Sequence, residues 1–258
     1  MYRYIFLDLD DTLFQTLRKC PNPHDSRLNL CAILPDGTPN SYATAKQQWL
    51  WQWLNQGFLV IPVTARDLAA FRRVNLVFDE EQIINHGGVI LDRHGQLDRH
   101  WMAMMQNELQ RYDEAFQSVW AEVLAFCAAD EGYNARVADD FNVVWYGYIK
   151  HREGTEAALA ALLAMVKRHP GVRDGSVYWH LNGNNLAVLP KPVAKGRAVD
   201  YLLASYRERG EVMSFAAGDS QTDWLFMQLC DYAIVPNNTQ LSRLITSVVQ
   251  DQQSVFSG

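Results

Sequence analysis

The sequence has little cysteine, no long apolar run and no cluster of basic residues. Only four of its 258 residues are cysteine, and no two of them have the Cys-x-x-Cys spacing of a zinc or redox site. No window reaches the roughly 18 uninterrupted apolar residues of a membrane helix. The first residues also lack the basic, apolar and small-residue order of a signal peptide. We therefore expect a cytoplasmic protein with reduced thiols and no membrane partner.

The charge balance excludes a second class of partner. The chain carries 23 Lys and Arg against 29 Asp and Glu, which gives a formal net charge of −6 at pH 7. Because sequence-independent nucleic-acid binding requires clustered Lys and Arg, we expect no nucleic-acid partner. A small anionic substrate remains compatible, since local charge sets the field of a pocket. The length suits one large domain or two smaller ones, in a monomer or a homodimer.

The first dozen residues combine an apolar run with a dense group of acids. The run 2–7 is rich in β-formers and too short for a helix, which predicts a buried strand. It ends at Asp8-Leu-Asp10-Asp-Thr12. In an extended backbone Asp8 and Asp10 would project to the same side, where their charges repel unless a cation lies between them. Mg²⁺, which prefers oxygen ligands, is the candidate, and the alternative is an acidic turn without a metal.

The two ends of the chain alternate strands and helices. After the opening strand, further strands are predicted at 58–63, 82–85, 212–217 and 232–235. Helices are predicted at 42–56, with Ser41 as N-cap, and at 68–74, 195–209, 222–229 and 239–249, followed by a frayed tail. This alternation is typical of a Rossmann-like α/β core, a doubly wound parallel sheet. The irregular segment 13–40 contains one predicted strand, 28–34, and has no assigned role.

The middle of the chain has a different pattern. One long amphipathic helix is predicted over 100–130, followed by strands at 134–138 and 142–149 on either side of Asp139-Asp140. A second helix, 154–168, stopped by Pro170-Gly171, precedes a hairpin whose strands 176–181 and 185–189 are joined by Asn-Gly-Asn. Two helix–strand–strand units imply an antiparallel sheet. We therefore expect an α+β domain at 92–189, inserted into a core domain formed by 1–91 and 190–258.

Polar residues follow the predicted parallel strands, at the edge where such sheets bind ligands. They are Asp8 and Asp10, then Thr64, then Gly218-Asp219-Ser-Gln-Thr222-Asp223, with Lys195 opening a helix. Carboxylates such as Asp8, Asp219 and Asp223 suit Mg²⁺, whereas a hydroxyl and an ammonium suit the oxygens of an anion. The set could therefore hold a metal and an anion together.

These residues, in this order and strand context, resemble the four motifs of the haloacid dehalogenase (HAD) superfamily. The inserted domain is similar to the type-IIB cap of Cof-type and sucrose-phosphatase-like members, and Lys191-Pro-Val-Ala-Lys195 is similar to their lysine motif. The resemblance covers nearly the whole chain. It implies a Mg²⁺-dependent phosphatase that hydrolyses a small phosphorylated metabolite, such as a sugar phosphate, through an aspartyl-phosphate.

The resemblance also implies roles for individual residues. Asp8 would be the nucleophile and a metal ligand, and Asp10 the general acid/base, with its backbone carbonyl on the metal. Thr64 and Lys195 would bind phosphate, and Asp219 and Asp223 would complete the metal site. Thr222 stands where the family usually has asparagine, and Arg66 adjoins Thr64 as a candidate substrate contact. The alternatives are a surface ion pair for Arg66 and a helix N-terminal acid for Asp223.

Two other functions stay open. A phosphotransferase similar to phosphomannomutase uses the same site, and a non-catalytic phosphate-binding or regulatory protein could retain the pocket. Specificity is expected from aromatic and polar residues of the inserted domain. The candidates are Trp145, Tyr146, Tyr148, Lys150, His151, Arg152, Trp179, His180, Asn182 and Asn184.

Overall fold

The computed structural model describes the backbone of residues 1–256 and the side chains of residues 1–251. The chain divides into two compact units, one formed by Met1–Leu97 together with the chain from Lys195 onward, the other by Asp98–Ala194. The type-IIB assignment of the second unit stays a proposal. Among the described residues, no helix is both long and apolar enough to span a membrane.

Thirteen strands and nine α-helices are present in the described backbone. The strands are β1 (Tyr2–Leu7), β2 (Gln15–Thr16), β3 (Asn29–Ile33), β4 (Pro39–Ala43), β5 (Leu59–Pro62), β6 (Gln82–Ile84), β7 (Val89–Leu91), β8 (Tyr133–Asp140), β9 (Val143–His151), β10 (Val177–Leu181), β11 (Leu186–Pro190), β12 (Val212–Ala217) and β13 (Tyr232–Ile234). The helices are α1 (Ala45–Gly57), α2 (Leu68–Phe71), α3 (Arg99–Gln110), α4 (Asp113–Cys127), α5 (Ala160–Arg168), α6 (Pro170–Arg173), α7 (Lys195–Arg209), α8 (Gln221–Met227) and α9 (Gln240–Phe256).

The first unit is built on a parallel four-stranded sheet in the order β13-β12-β1-β5. Strand β1 lies inside the sheet, and its residues Ile5, Phe6 and Leu7 are fully buried. A strand covered on both faces reads as a continuous apolar run, which is why it could be predicted. The predicted α/β core is therefore confirmed, and its strand ends bring the acidic loops to one edge of the sheet.

The third predicted strand departs from the parallel pattern. Strand β6 pairs antiparallel with β7 and meets the main sheet at one parallel bridge, between Val63 and Ile83. The segment predicted as irregular contributes β2, β3 and the first two residues of β4 to a small antiparallel sheet in the order β2-β4-β3. This small sheet leads directly into α1.

Ser41 is not the N-cap of α1. It lies in β4, which pairs with β3, and α1 begins at Ala45 with Thr44, three residues after Ser41, as its cap. The Thr44 hydroxyl accepts a hydrogen bond from the Gln47 amide at 3.3 Å, and the Gln47 side chain accepts one from the Thr44 amide at 2.9 Å. This reciprocal capping box satisfies two backbone donors, whereas Ser41 offers no equivalent partner.

The last helix is longer than predicted. Helix α9 runs on to Phe256, so the predicted end at residue 249 is wrong, and residues 257–258 of the predicted frayed tail lie outside the described residues. The residues that follow 249 include neither Gly nor Pro before the helix ends, so nothing in the sequence stops it earlier.

The second unit contains an antiparallel sheet in the order β10-β11-β9-β8. The turn between β8 and β9 lies at Phe141-Asn142, both in the left-handed region with φ of 58° and 60°, while Asp139 and Asp140 belong to β8. A two-residue hairpin turn of type I′ requires this conformation at both central residues. Phenylalanine rarely adopts the left-handed conformation, so the turn was predicted at Asp139-Asp140, which is wrong.

The helices of the second unit also differ from expectation. The predicted single helix over 100–130 is two helices, α3 and α4, separated at Tyr112, whose φ of −118° departs from helical geometry. Apolar spacing continues across this break, so periodicity alone could not reveal it. Helix α5 ends at Arg168, as predicted, but Pro170 opens α6, because the first turn of a helix needs no amide donor from proline.

Candidate active site

Three carboxylates converge in the first unit. Asp8 follows β1, Asp219 follows β12, and Asp223 lies in the first turn of α8. One oxygen from each lies within 4.8 Å of the others, and the three residues are only 5%, 4% and 1% exposed. Parallel pairing of β1 with β12 ends at Leu7 and Ala217, which places the two following loops side by side.

The ammonium of Lys195 links two of these acids. Its Nζ lies 2.7 Å from Asp8 Oδ1 and 2.6 Å from Asp223 Oδ1, and the residue is 7% exposed. Lys195 is the first residue of α7, which contacts α8. The second oxygen of Asp8 accepts a hydrogen bond from the Thr12 hydroxyl at 3.1 Å. Both oxygens of Asp8 are therefore fixed by groups on other parts of the chain.

Asp223 also caps its own helix. Its Oδ2 accepts hydrogen bonds from the Ser220 amide at 3.0 Å, the Ser220 hydroxyl at 2.7 Å and the Asp219 amide at 3.2 Å. The expected role of Asp223 as a helix N-terminal acid is therefore seen, through one of its oxygens, while the other oxygen accepts from Lys195. Thr222 turns to the same loop, with its hydroxyl 3.0 Å from that of Ser220.

The three acids differ in the direction of their pKa shifts. Burial is the main cause that raises the pKa of Asp8 from 3.8 to about 7 and that of Asp219 to about 9, with further contributions from neighbouring carboxylates. The pKa of Asp223 is lowered, because Lys195 and the Ser220 hydrogen bonds outweigh the effect of burial. Burial alone would lower the pKa of Lys195, but the charges of Asp223 and Asp8 raise it above its ordinary value.

The donor set fits a hard divalent cation. Every candidate ligand atom is a carboxylate oxygen, as Mg²⁺ prefers. Within the residues that the structure describes, the Asp219 carboxylate takes part in no hydrogen bond or ion pair, although it is nearly fully buried. One ammonium faces three acids, so a further cation would be needed for all three carboxylates to be ionised together. Asp8 and Asp219 are the residues that would hold such an ion, and Asp223 lies beside them.

Asp10 does not join this cluster through its side chain. Its two oxygens accept hydrogen bonds from Nε and Nη2 of Arg66, both at 2.7 Å. The guanidinium also donates to the carbonyl of Ala70 at 3.3 Å and lies over the ring of Phe14. The side chains of Asp8 and Asp10 therefore do not share one cationic partner. Asp8 contacts Lys195, and Asp10 contacts Arg66.

Thr64 lies at the end of the neighbouring strand. It is 1% exposed, and its hydroxyl accepts a hydrogen bond from the Arg66 amide at 3.2 Å. The carbonyls of Thr64 and Arg66 are held by the amides of His86 and Asn85, two consecutive buried residues with φ of 54° and 51°. Such left-handed pairs are sparsely populated and tend to cluster at functional sites.

Two residues that hydrogen-bond to the acids of the cluster, Thr12 and Ser220, had no predicted role. Thr12 was part of the opening motif, and a hydroxyl four residues after the nucleophile candidate was the available signal. Ser220 was part of the Gly218-Asp219-Ser motif, where Ser followed by Asp three positions later is a capping-box pattern. Asp11, with φ of 65°, pairs instead with Lys19 at the surface.

Several of the aromatic and polar candidates of the second unit have structural partners there. Trp145 is fully buried and donates to the Asp140 carbonyl at 3.1 Å. The ammonium of Lys167 lies over Trp179, 4.5 Å from the centroid of the indole ring. The Asn184 amide holds both backbone groups of His151, at 2.9 and 2.7 Å. These three therefore have roles in folding the unit.

Comparison with solved structures identifies the fold. The sucrose-phosphatase of Synechocystis sp. PCC6803, solved with sucrose and phosphate, matches with a TM-score of 0.54 and 14% identity over 97% of this chain and 98% of that one. The C-terminal domain of trehalose-6-phosphate phosphatase from C. albicans matches with a TM-score of 0.56 and 16% identity over 88% and 72%. A Thermoplasma acidophilum protein, 0175, matches with a TM-score of 0.54 and 12% identity over 93% of this chain and 87% of that one. At these identities the likeness shows the fold alone.

Family membership rests on a different comparison. No curated protein sequence matches the chain. The model of the Sucrose-6F-phosphate phosphohydrolase family, however, matches residues 3–257. This match spans both units and every candidate site residue, and it confirms the resemblance to the HAD superfamily. The chain therefore belongs to the sucrose-6F-phosphate phosphohydrolase family and is a phosphoric monoester hydrolase.

Proposed function

We propose that this protein hydrolyses a sugar phosphate in a Mg²⁺-dependent reaction that passes through an aspartyl-phosphate on Asp8. The observation that carries the proposal is the buried Lys195 ammonium between Asp8 and Asp223, beside an Asp219 carboxylate that has no protein partner among the described residues. An ammonium and a cation at this place would neutralise the phosphate dianion next to the nucleophile. Without such neutralisation, two anions would repel each other.

Asp8 is the proposed nucleophile that attacks phosphorus. One of its oxygens would form a bond to phosphorus while the bond from phosphorus to the sugar oxygen breaks, leaving a mixed anhydride on the enzyme. Thr12 and Lys195 hold the carboxylate in one orientation, which lowers the entropic cost of in-line attack. Bound Mg²⁺ would supply Lewis-acid stabilisation of the charge on the transferring group. The Thr64 hydroxyl would contact the same phosphoryl oxygens.

Asp10 is the proposed proton carrier. It would donate a proton to the departing sugar oxygen and then accept one from the water that attacks phosphorus and releases inorganic phosphate. Its carboxylate is about half exposed, at 48%, so it can meet a substrate, while Arg66 at 13% stays largely covered. Arg66 would fix the orientation of the Asp10 carboxyl group.

The family suggests where to look for the substrate. Its description concerns sucrose-6F-phosphate, and the Synechocystis relative was solved with sucrose and phosphate. We therefore propose a sugar phosphate monoester as the substrate class and sucrose-6F-phosphate as the first compound to assay.

The test is a release assay with the full chain. Inorganic phosphate would be measured with Mg²⁺, first on sucrose-6F-phosphate and then on trehalose-6-phosphate and monosaccharide phosphates. We expect turnover that a chelator abolishes and that Asp8→Asn lowers by roughly 10⁴-fold or more. Asp11→Asn is the matched control, because Asp11 is a neighbouring aspartate that pairs with Lys19 outside the cluster.

A second measurement tests the intermediate. Acid quenching during turnover, followed by mass spectrometry, should place a phosphoryl adduct on the peptide that contains Asp8. Absence of turnover on the whole panel would overturn the proposed activity. Turnover that persists in Asp8→Asn would overturn the assigned nucleophile.

A further inference from the structure

The first unit contains a cavity that shares no residue with the carboxylate cluster. It has a volume of about 160 Å³ and lies between α1 and the small sheet formed by β2, β3 and β4. Three lining residues, Leu13, Cys31 and Ala43, are at most 4% exposed and form an apolar floor. The segment 13–40, which the proposed chemistry leaves unused, therefore contributes part of the lining of this cavity.

The remaining lining residues are aromatic, aliphatic or amide-bearing. Trp51 and Leu76 supply apolar wall, and the amides come from Asn29, Gln47, Gln48 and Gln52. None of the lining residues carries a charge. An ionic ligand would lose its hydration without gaining a counter-charge here, so the lining favours a neutral occupant.

Two of the amides have capacity left for a ligand. The Gln48 Nε2 donates to the carbonyls of Arg27 and Ala43, at 2.6 and 3.2 Å, while its Oε1 accepts nothing from the described part of the chain. The exposed Gln52 amide likewise makes no hydrogen bond with any described residue. The Gln48 Oε1 acceptor and the complete Gln52 amide therefore line the same cavity as the Trp51 indole. Free hydrogen-bonding groups beside an aromatic ring suit a ligand that carries hydroxyl groups on a carbon skeleton.

Size limits the ligand further. At about 30 Å³ for each water in the liquid, the cavity has room for roughly five waters. This is well below the roughly 300 Å³ at which sites for drug-sized ligands begin. A molecule between glycerol and a monosaccharide would fill it.

Gln47 connects the cavity to the nucleophile. Its Nε2 donates to the Thr12 carbonyl at 3.3 Å and to Gln15 Oε1 at 2.7 Å, and its Oε1 accepts from Thr44. The Thr12 hydroxyl in turn holds Asp8. An occupant that packs against Gln47 therefore acts on the residue that fixes the loop between Asp8 and Thr12.

We propose that this cavity is a binding site for a neutral polyhydroxylated small molecule, and that its occupation changes the rate of the chemical step through Gln47 and Thr12. The binding part is independent of the proposed function. Only the kinetic part rests on it, so the two are tested separately.

Binding is tested first, on full-length protein labelled with 5-fluorotryptophan. The fluorine resonance of Trp51 would be assigned by its loss in Trp51→Phe and followed during titration with glycerol and with glucose. Small ligands of this size bind with Kd values of about millimolar, so a saturable shift is expected below about 100 mM. The shift should be lost or weakened several-fold in Gln52→Ala and in the cavity-filling Ala43→Leu.

Gln56→Ala is the matched control, because Gln56 is an exposed glutamine of α1 that does not line the cavity. It should titrate like the wild type. No saturable shift with either probe, or equal shifts in wild type and Gln52→Ala, would overturn the site. Gln52 is exposed, so its variant keeps this test interpretable if Ala43→Leu fails to fold.

The kinetic part uses the Asp8-dependent hydrolysis. A saturating probe should change kcat while the KM of the phosphorylated substrate stays constant, and Gln52→Ala should remove the effect. A change in KM alone would mean competition at the catalytic site and would overturn the link through Gln47. Saturable binding in Asp8→Asn, which lacks hydrolysis, would show that the site stands even if the proposed function fails.

Discussion

Arg66 holds both carboxylate oxygens of Asp10, with Nε and Nη2 each 2.7 Å from one oxygen. The two residues come from the loops after adjacent strands β1 and β5, which pair in parallel. Planar two-point contacts of this kind fix orientation as well as charge, and a lysine cannot reproduce them. The proposed acid/base is therefore positioned by a specific partner.

Loss of this contact should impair proton transfer. We expect Arg66→Lys to lower kcat by about tenfold and Arg66→Met by about 100-fold, because general acid/base catalysis contributes roughly 10²–10⁴ and depends on orientation. Steady-state kinetics with the sugar phosphate substrate checks this. Arg93→Met is the control, since Arg93 forms an exposed pair with Glu80. Unchanged kcat in Arg66→Met would contradict the positioning role.

Removal of the bridging ammonium should affect both activity and stability. Lys195→Met leaves Asp8 and Asp223 buried without their counter-charge, and breaking a buried ion pair from one side costs about 3–5 kcal/mol. We expect loss of turnover and a lower free energy of unfolding in denaturant titrations. Lys191→Met, four residues earlier and exposed, should match the wild type in both. Equal stability of the two variants would count against the bridge.

Stability without metal should fall as the pH rises. The folded-state pKa values of Asp8 and Asp219, about 7 and about 9, lie above the ordinary value of 3.8, so the folded state holds these protons more tightly than the unfolded state. Their contribution is complete below about pH 4 and disappears as the pH passes 7 and then 9. In chelator, wild type should therefore lose stability relative to Asp219→Asn between about pH 5 and about pH 9.

A control of opposite sign is available for this measurement. Hydrogen bonds from Ser214 lower the pKa of Asp231, so its contribution is present above its ordinary pKa and is lost on acidification. Asp231→Asn should therefore not reproduce the trend of Asp219→Asn. Added Mg²⁺ should restore stability most at high pH, because it binds deprotonated carboxylates. A restoration that is largest at low pH would contradict the assigned ligands.

The second unit offers a packing test. A Cβ at Gly147 would lie 2.2–2.6 Å from ring atoms of Trp120, which packs α4 against β9. We expect Gly147→Ala to destabilise the unit by about 1–3 kcal/mol through overpacking. Gly57→Ala, where nothing lies within 4 Å, should leave stability unchanged or slightly raised. Thermal unfolding of the two variants compares them directly, and equal midpoints would refute the close contact.

Much of the fold could be predicted from local patterns. The bounds of α7 and β12 agree with the structure residue for residue, because each is an uninterrupted periodic segment followed by a clear stop. The errors fall where two local solutions compete. Ser41 and Thr44 are both acceptable caps, and only strand pairing decides between them. The Phe141-Asn142 turn could not be predicted, because phenylalanine is unusual at a turn position with positive φ.

The site was predictable to a similar degree and for a similar reason. The motifs singled out Asp8, Lys195, Asp219 and Asp223, and the parallel strand order brings them together. The partner of Asp10 could not be predicted, because a side-chain contact across 56 positions depends on how two loops bend. The Gln47 link to Thr12 depends in the same way on the start of α1.

The order of strands in the main sheet has a consequence for synthesis on the ribosome. Tyr2 of β1 pairs with Val212 of β12, so β1 gains its second neighbouring strand only after most of the chain has been synthesised. At roughly 5–20 residues per second, that delay is roughly 10–40 s. During it, the entire second unit leaves the ribosome and can fold, while β1 keeps an open hydrogen-bonding edge. A holding chaperone would find its target in this exposed apolar strand.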